Sequence, residues 1–280
     1  MVSLVLEGGS FRCIFSAGVM DALLDSDIYV PYCIGVSGGI SMGVSYISKQ
    51  PKRNLDVFLK YRNDKRYISR RNLLHNRSVF GLDFAYDEVP NKLIPFDWDT
   101  YKKYTGKVVI VATDALTGKP KYFNGMKMDK KFKPLRATCA LPVAFPTIKI
   151  GNTPYYDGGL SDPIPIRKAI EDGCDKHIII LTRPEGYVKE CDSRAKVVAR
   201  VLRRKYPKVE ECLLNRHIGY NKTVQFCEQL QKEKKAVIIR PDHPLESFEK
   251  DTKVLQESYD LGYQAGMKVM DQIKELFEEK

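Results

Sequence analysis

The sequence predicts an α/β protein with a mostly parallel central sheet and helices on both of its faces. Two patterns carry that expectation. Short runs rich in Val, Ile and Leu alternate with stretches whose apolar residues recur at helical spacing, the mixture that strands buried on both sides and their crossover helices produce. The first two apolar runs also end in glycine turns, as parallel strands entering helices do.

Val2 to Leu6 is the first strand and runs into Gly8-Gly9. From Phe11 to Leu24 the apolar positions 11, 14, 15, 19 and 23 keep helical spacing, with Gly18 as a close-packing site, and Asp25-Ser26-Asp27 ends the segment. Tyr32 to Val36 makes a second strand that enters Ser37-Gly38-Gly39, and the small-residue stretch Ile40 to Ile47 suits a helix lying close against the sheet. Lys107 to Thr113, Tyr155-Tyr156 and His177 to Thr182 read as further strands. After Pro184 the character changes. Charged, helical-looking stretches, Ser193 to Leu230 and Phe248 to Phe277, flank one more strand, Ala236 to Ile239, so a boundary near 185 separates region 1–185 from a mainly helical extension, 186–280, packed on it.

A chain of 280 residues with 43% hydrophobic content can bury a real core, which excludes a disordered protein. A formal charge of +11 favours contact with something anionic. That charge is concentrated. Residues 52–77 hold nine basic residues (Lys52, Arg53, Lys60, Arg62, Lys65, Arg66, Arg70, Arg71 and Arg77) against Asp56 and Asp64, interleaved with Tyr61 and Tyr67, and residues 192–216 hold eight against three. Such clusters suit an anionic membrane surface or a phosphate-bearing substrate, although a solvated helix face is the plainer reading. No motif for reading nucleic acid accompanies them, so no nucleic-acid partner is expected. Seven cysteines without a close CxxC pair point to reduced thiols and a cytoplasmic protein. Met1 to Leu6 lacks a basic flank and is stopped by Glu7, and no stretch approaches the roughly 18 apolar residues of a membrane span, so secretion and membrane crossing are not expected.

Gly35-Val36-Ser37-Gly38-Gly39 is a Gly-x-Ser-x-Gly between a strand and a helix, the context in which a sharp turn projects a serine hydroxyl at the carboxyl edge of a sheet. A nucleophilic serine needs a base. Of His75, His177, His217 and His243, only His243, in the turn Pro241 to Pro244, sits where a late-chain imidazole would be expected. The better candidate is a carboxylate: Asp157 stands between Tyr155-Tyr156 and Gly158-Gly159, with the restricted loop Ser161 to Pro165 behind it. No His/Cys cluster has metal-ligand spacing and no calcium loop is present, so neither a metal nor a cofactor is expected.

In their order, these segments resemble the patatin-like phospholipases, a group of bacterial and plant serine acyl hydrolases. Leu4 to Arg12 resembles their oxyanion loop, Gly35 to Gly39 their nucleophile elbow and Asp157-Gly158-Gly159 their catalytic-acid motif; Ala137 to Pro142 and Asp162 to Pro165 are similar to segments of bacterial members. The resemblance covers about residues 2–185, and the remainder is similar to a helical extension carried by some of those members. It implies a three-layer sandwich and a Ser-Asp dyad in which Ser37 attacks an acyl carbonyl and Asp157 takes its proton. It also implies oxyanion donors at Gly8, Gly9 and Ser10, with Arg12, Gly35, Gly39, Gly158 and Gly159 in support. The loop departs from the family's Gly-x-Gly-x-x-Gly, because Ser10 and Cys13 hold two glycine positions. Arg12 is expected to anchor the loop or meet an anionic substrate group, and Cys13 to be a buried spacer.

The expected function is therefore a lipid acyl-ester hydrolase of phospholipase A or lysophospholipase type. The alternative is a catalytically weakened lipid-binding or regulatory protein at an anionic membrane. A nucleotide binder using Glu7 to Arg12 is a remote third reading, since the Gly-Lys-Ser/Thr ending of a P-loop is missing.

Overall fold

Residues 1–69, 72, 78–191 and 193–278 are described by the computed structural model; His75, Arg70, Arg71 and Arg77 lie outside them. In chain order the main elements are β1 (Val2–Leu6), α1 (Cys13–Asp25), β2 (Tyr32–Val36), α2 (Ser37–Ile47), α3 (Arg53–Tyr61), α4 (Trp98–Lys103), β3 (Lys107–Asp114), β4 (Pro120–Asn124), α5 (Lys133–Thr138), β5 (Ile148–Ile150) and β6 (Thr153–Asp157). There follow α6 (Ile166–Glu171), β7 (Lys176–Ile180), α7 (Ser193–Leu202), α8 (Pro207–Lys232), β8 (Ala236–Ile239), α9 (Thr252–Lys268) and α10 (Met270–Glu275).

These strands form one sheet in the order β5-β6-β3-β2-β1-β7-β8, with β4 also paired to β3. The strands from β3 to β8 along that path run parallel, while β4, β5 and β6 are antiparallel additions at one side. Alternation along the parallel strands divides the core in two. Leu4, Leu6, Cys33, Val108, Ile110, Ile178 and Ile180 pack with residues of α1, α2 and α9. Val5, Ile34, Val36, Val109, Val111, Ile179 and Leu181 pack with residues of α6 and α8 on the other face. The fold is thus a mixed α/β sheet flanked by helices, as the strand pattern predicts.

Several local expectations change. Phe11 to Leu24 enters its helix through a 3₁₀ turn, Ser10–Arg12, before α1 begins. The stretch 193–230 is two helices, interrupted before Pro207, whose ring suits a first helical turn and not an interior one. β4 and β5 carry no sequence signal: one is a half-exposed strand starting at a proline, the other only three residues long. No helix among the described residues is long and apolar enough to cross a membrane.

Candidate active site

The sheet itself brings Ser37 and Asp157 together. β3 outruns β2, so residues 107–111 of β3 pair with β2 and residues 112–114 pair with β6, while β4 occupies the opposite edge at 109–113. The ends of β2 and β6 therefore meet on one edge of β3, with Val36 opposite Val111 and Asp157 opposite Ala112. Ser37 is the next residue after Val36. Its Oγ donates a 2.7 Å hydrogen bond to Asp157 Oδ2.

Both groups are nearly sealed from solvent, at 7% and 3% exposure. Ser37 has φ +51°, a left-handed backbone that side chains adopt at a cost, so the turn holds the hydroxyl in a fixed direction. The Ser37 N–H donates to Thr138 Oγ1 at 2.8 Å, and that hydroxyl in turn donates to the Val111 carbonyl. Asp157 Oδ1 accepts from the Gly159 N–H at 2.8 Å, and Thr113 Oγ1 donates to the Asp157 carbonyl at 2.8 Å. Burial pushes the Asp157 carboxyl up to about 6, against the opposing pull of the hydrogen bonds from Ser37 and Gly159 and the charge of Arg216. A carboxylate so placed has gained basicity at neutral pH.

Glycines hold the elbow because its neighbours leave no room for a Cβ. One on Gly39 would lie 2.4 Å from the Glu7 carbonyl oxygen, one on Gly35 2.8 Å from Leu6 Cβ, and one on Gly158 2.2 Å from the Val111 oxygen. Gly38 faces the first loop in the same way, at 2.5 Å from the Ser10 carbonyl oxygen. The loop and the elbow are thereby packed backbone to backbone.

Within the loop, the Gly8 N–H is directed to the Pro163 carbonyl at 3.4 Å, and the Phe11 and Arg12 N–H groups donate to Ser247 and Gly9 carbonyls. Among the described residues, the Gly8 amide thus faces a carbonyl, while no carbonyl stands in that relation to the amides of Gly9 and Ser10. Arg12 is buried; its guanidinium donates to Thr182 Oγ1 at 3.3 Å and also to Ser247 Oγ. Glu7 is fixed by Thr182 and by the Tyr220 hydroxyl at 3.0 Å. Cys13 is fully buried with its Sγ turned to the Glu7 carbonyl, and burial pushes its thiol up. It is a packed spacer.

Ser10 has φ +53°, the conformation a glycine adopts freely and a serine does not. Ser10→Gly should therefore stabilise the protein by about 1 kcal/mol, read as a raised urea midpoint. It should also raise kcat on a short-chain ester more than it changes KM, because relaxed donors act mainly in the transition state. A fall in kcat would show instead that the Ser10 hydroxyl is needed.

No imidazole joins this arrangement among the described residues. His177 is buried against Ser3 Oγ at 2.8 Å, with burial pulling its pKa down to about 4. His243 is exposed beside Asp242, and His217 lies half-buried on α8. The sequence singles out the segment Ala137 to Pro142 but not its place beside Ser37, nor Ser41. Cys139 Sγ lies 3.2 Å from Ser41 Oγ and within hydrogen-bonding reach of Ser37, and burial pushes its thiol up to about 11.

From Ser37 and Ser10 a cavity of about 170 Å³ runs along α2, walled by aromatic and aliphatic side chains that include Phe11, Phe58, Phe80, Phe84, Phe145 and Phe248. Two members of the basic cluster belong to this interior and not to a solvated face. Arg62 is buried, donates to the carbonyls of Phe248 and Glu249, and lies 4.5 Å over the Phe11 ring; Arg53 lines the cavity directly.

Comparison with known proteins gives a domain of unknown function (DUF6363) over residues 206–278. The uncharacterized protein YjjU of Escherichia coli (strain K12) is 26% identical over 293 residues, covering 100% of this chain and 80% of that protein. Among solved structures, the crystal structure of VipD from Legionella pneumophila aligns with 96% of this chain at a TM-score of 0.47 and 13% identity. The match takes in 66% of that protein, so the chain spans just under two thirds of its length. The family model for patatin-like phospholipases matches residues 4–170. That span is more than half of the chain and takes in the glycine loop, the elbow and Asp157; this protein belongs to the patatin-like phospholipases, a family of lipid acyl hydrolases.

Proposed function

We propose that the protein is a serine acyl-ester hydrolase of lipids, of phospholipase A or lysophospholipase type, working through an acyl-enzyme on a Ser37–Asp157 dyad. The observation that carries this is the 2.7 Å hydrogen bond from Ser37 Oγ, in the wall of an apolar cavity, to a buried carboxylate of raised pKa. In the first step Ser37 Oγ attacks the ester carbonyl while its proton passes to Asp157. The oxyanion that forms accepts from the Gly9 and Ser10 amides, an effect of roughly 3 kcal/mol per donor in other serine hydrolases. Collapse breaks the ester C–O bond, and Asp157 returns the proton to the leaving alcohol. Water then attacks the acyl-serine with Asp157 again as base, releasing the acid and restoring Ser37.

An anionic lipid fits the charges near the dyad. Burial first, and then the charges of Arg216, Arg12 and Arg183, pull the Lys189 ammonium down to about 8 against the opposing charge of Glu7, and Arg216 also acts on Asp157. Such an excess of positive charge suits a phosphate-bearing head group or peripheral contact with an anionic membrane. Seven free cysteines accord with a cytoplasmic setting.

The second reading, a weakened lipid-binding protein, is favoured by the strained Ser10 and by Cys13 at the family's glycine positions. Fluorophosphonate labelling separates the two. The hydrolase should be modified at Ser37, with labelling abolished in a folded Ser37→Ala variant; labelling unchanged by that substitution, or none in the native protein, would sink the hydrolase assignment.

A further inference from the structure

Arg53 is the only charged side chain among the described residues that line the cavity, and no carboxylate lines it. Its guanidinium donates to Ser45 Oγ at 3.3 Å and to the Ile94 carbonyl at 3.0 Å and lies 5.5 Å from the Phe96 ring centroid. Its Nε–H is buried without an acceptor, and no acid among the described residues pairs with it. Burial alone pulls its pKa down to about 10, with no opposing charge to hold it up. A half-buried guanidinium kept without a counter-ion in an apolar cavity is short of both an acceptor and a negative charge.

Its position relative to the nucleophile is fixed by α2. Ser37, Ser41 and Val44 line the cavity along one face of that helix, and Ser45, which holds Arg53, is eight residues beyond Ser37, about 12 Å at the rise of an α-helix. An extended alkyl chain advances about 1.3 Å per bond, so a path of about 12 Å corresponds to on the order of eight to ten carbons. An acyl chain seated with its ester carbonyl at Ser37 therefore meets Arg53 with its far end.

Resting on the dyad reading above, we propose that the preferred acyl group is of medium length and carries a carboxylate at its distal end, which pairs with Arg53. A plain alkyl end gains nothing from a guanidinium, whereas a carboxylate supplies the missing charge and accepts from a planar fork of donors. The chemistry is otherwise unchanged: the ester C–O bond breaks, the serine proton leaves through Asp157 with the alcohol, and water releases a dicarboxylic acid.

The test uses p-nitrophenyl hemiesters of linear dicarboxylic acids, with methyl-capped esters of the same length as neutral controls. The native protein should favour the free carboxylate by tenfold or more in kcat/KM at one chain length near eight to ten carbons, a size set by that path. Arg53→Gln should invert that ratio, since the carboxylate then enters the cavity unpaired, and Arg53→Lys should restore part of it. Because each ratio is taken within one variant, losses of folding or of general activity cancel. A native protein that prefers the capped ester at every length, or an Arg53→Gln variant with an unchanged ratio, overturns the proposal. No turnover of any ester together with no labelling of Ser37 fails the hydrolase reading itself and the proposal with it. A lysophospholipid bearing the same ω-carboxyacyl chain then distinguishes a lipid leaving group from a small alcohol, and faster turnover of either than of its methyl-capped control supports the acyl-end assignment.

Discussion

Asp157→Asn should lower kcat/KM on a short-chain ester by roughly 100- to 10,000-fold, the range that a general base contributes. The amide keeps the size and part of the hydrogen bonding of the carboxylate, so the loss isolates the proton acceptor. Two further signatures separate this from a structural effect. Burial raises the Asp157 pKa to about 6, and the base must be ionised to act, so kcat/KM of the native protein should climb as pH rises through about 6 and level off above it. The stability effect has the opposite slope. Because the folded pKa lies above the unfolded value of about 3.9, the native state holds the extra proton in that interval, and stability falls as pH rises from about 4 through about 6. Above pH 6 the buried charge is a standing cost that the amide does not carry. Asp157→Asn should thus be far less active yet more stable than the native protein at pH 8, by about 1 to 2 kcal/mol, in a urea titration. His243→Ala and His217→Ala should keep most of the activity. A loss in His243→Ala as large as in Asp157→Asn would return the chemistry to a Ser-His-acid triad.

What the sequence made legible is local. The turns around Gly8, Ser37 and Asp157 are short segments in which small residues, a strand and a helix start stand side by side, and the structure keeps each of them as a unit. Their meeting is not local. It depends on β3 outrunning β2 by three residues and on an antiparallel β6 filling the gap, and no pattern within either strand announces that pairing. The cavity was hidden for the same reason. Its walls come from α2, α3, the π-type helix Phe84–Leu93 and Phe248, segments scattered over more than two hundred residues, and Pro90 inside the π-type helix argues against any helix there. Arg53 and Arg62 were masked by their company. Within a run of basic residues nothing in the sequence separates a cation that faces solvent from one turned inward onto Phe96 or Phe11.

Gly262→Val should destabilise the protein by about 3 kcal/mol or more, seen as a lowered urea midpoint for the whole chain. α9 lies directly on α1. A Cβ on Gly262 would sit 2.0 Å from the Phe15 carbonyl oxygen, and one on Gly18 would sit 2.0 Å from that of Tyr259, so two helix backbones touch at paired glycines. Neither obstacle is a flexible side chain that could swing away; relief requires the helices to separate, and α1 is wedged against the sheet with every residue from Cys13 to Leu23 buried. The consequence reaches the site, because α1 begins immediately after the loop that carries Gly9 and Ser10, and the Phe11 amide is tied to Ser247 just before α9. Residues beyond 185 should then unfold together with the dyad in one transition. Gly219→Ala supplies the control: it lies within α8, nothing stands within 4 Å of its added Cβ, and alanine should stabilise the helix by about 0.5 to 1 kcal/mol. Should Gly262→Val leave Ser37 labelling and the main unfolding transition where they are, with only a second, earlier transition moved, α9 would belong to a separately folding unit and the oxyanion loop would owe it nothing.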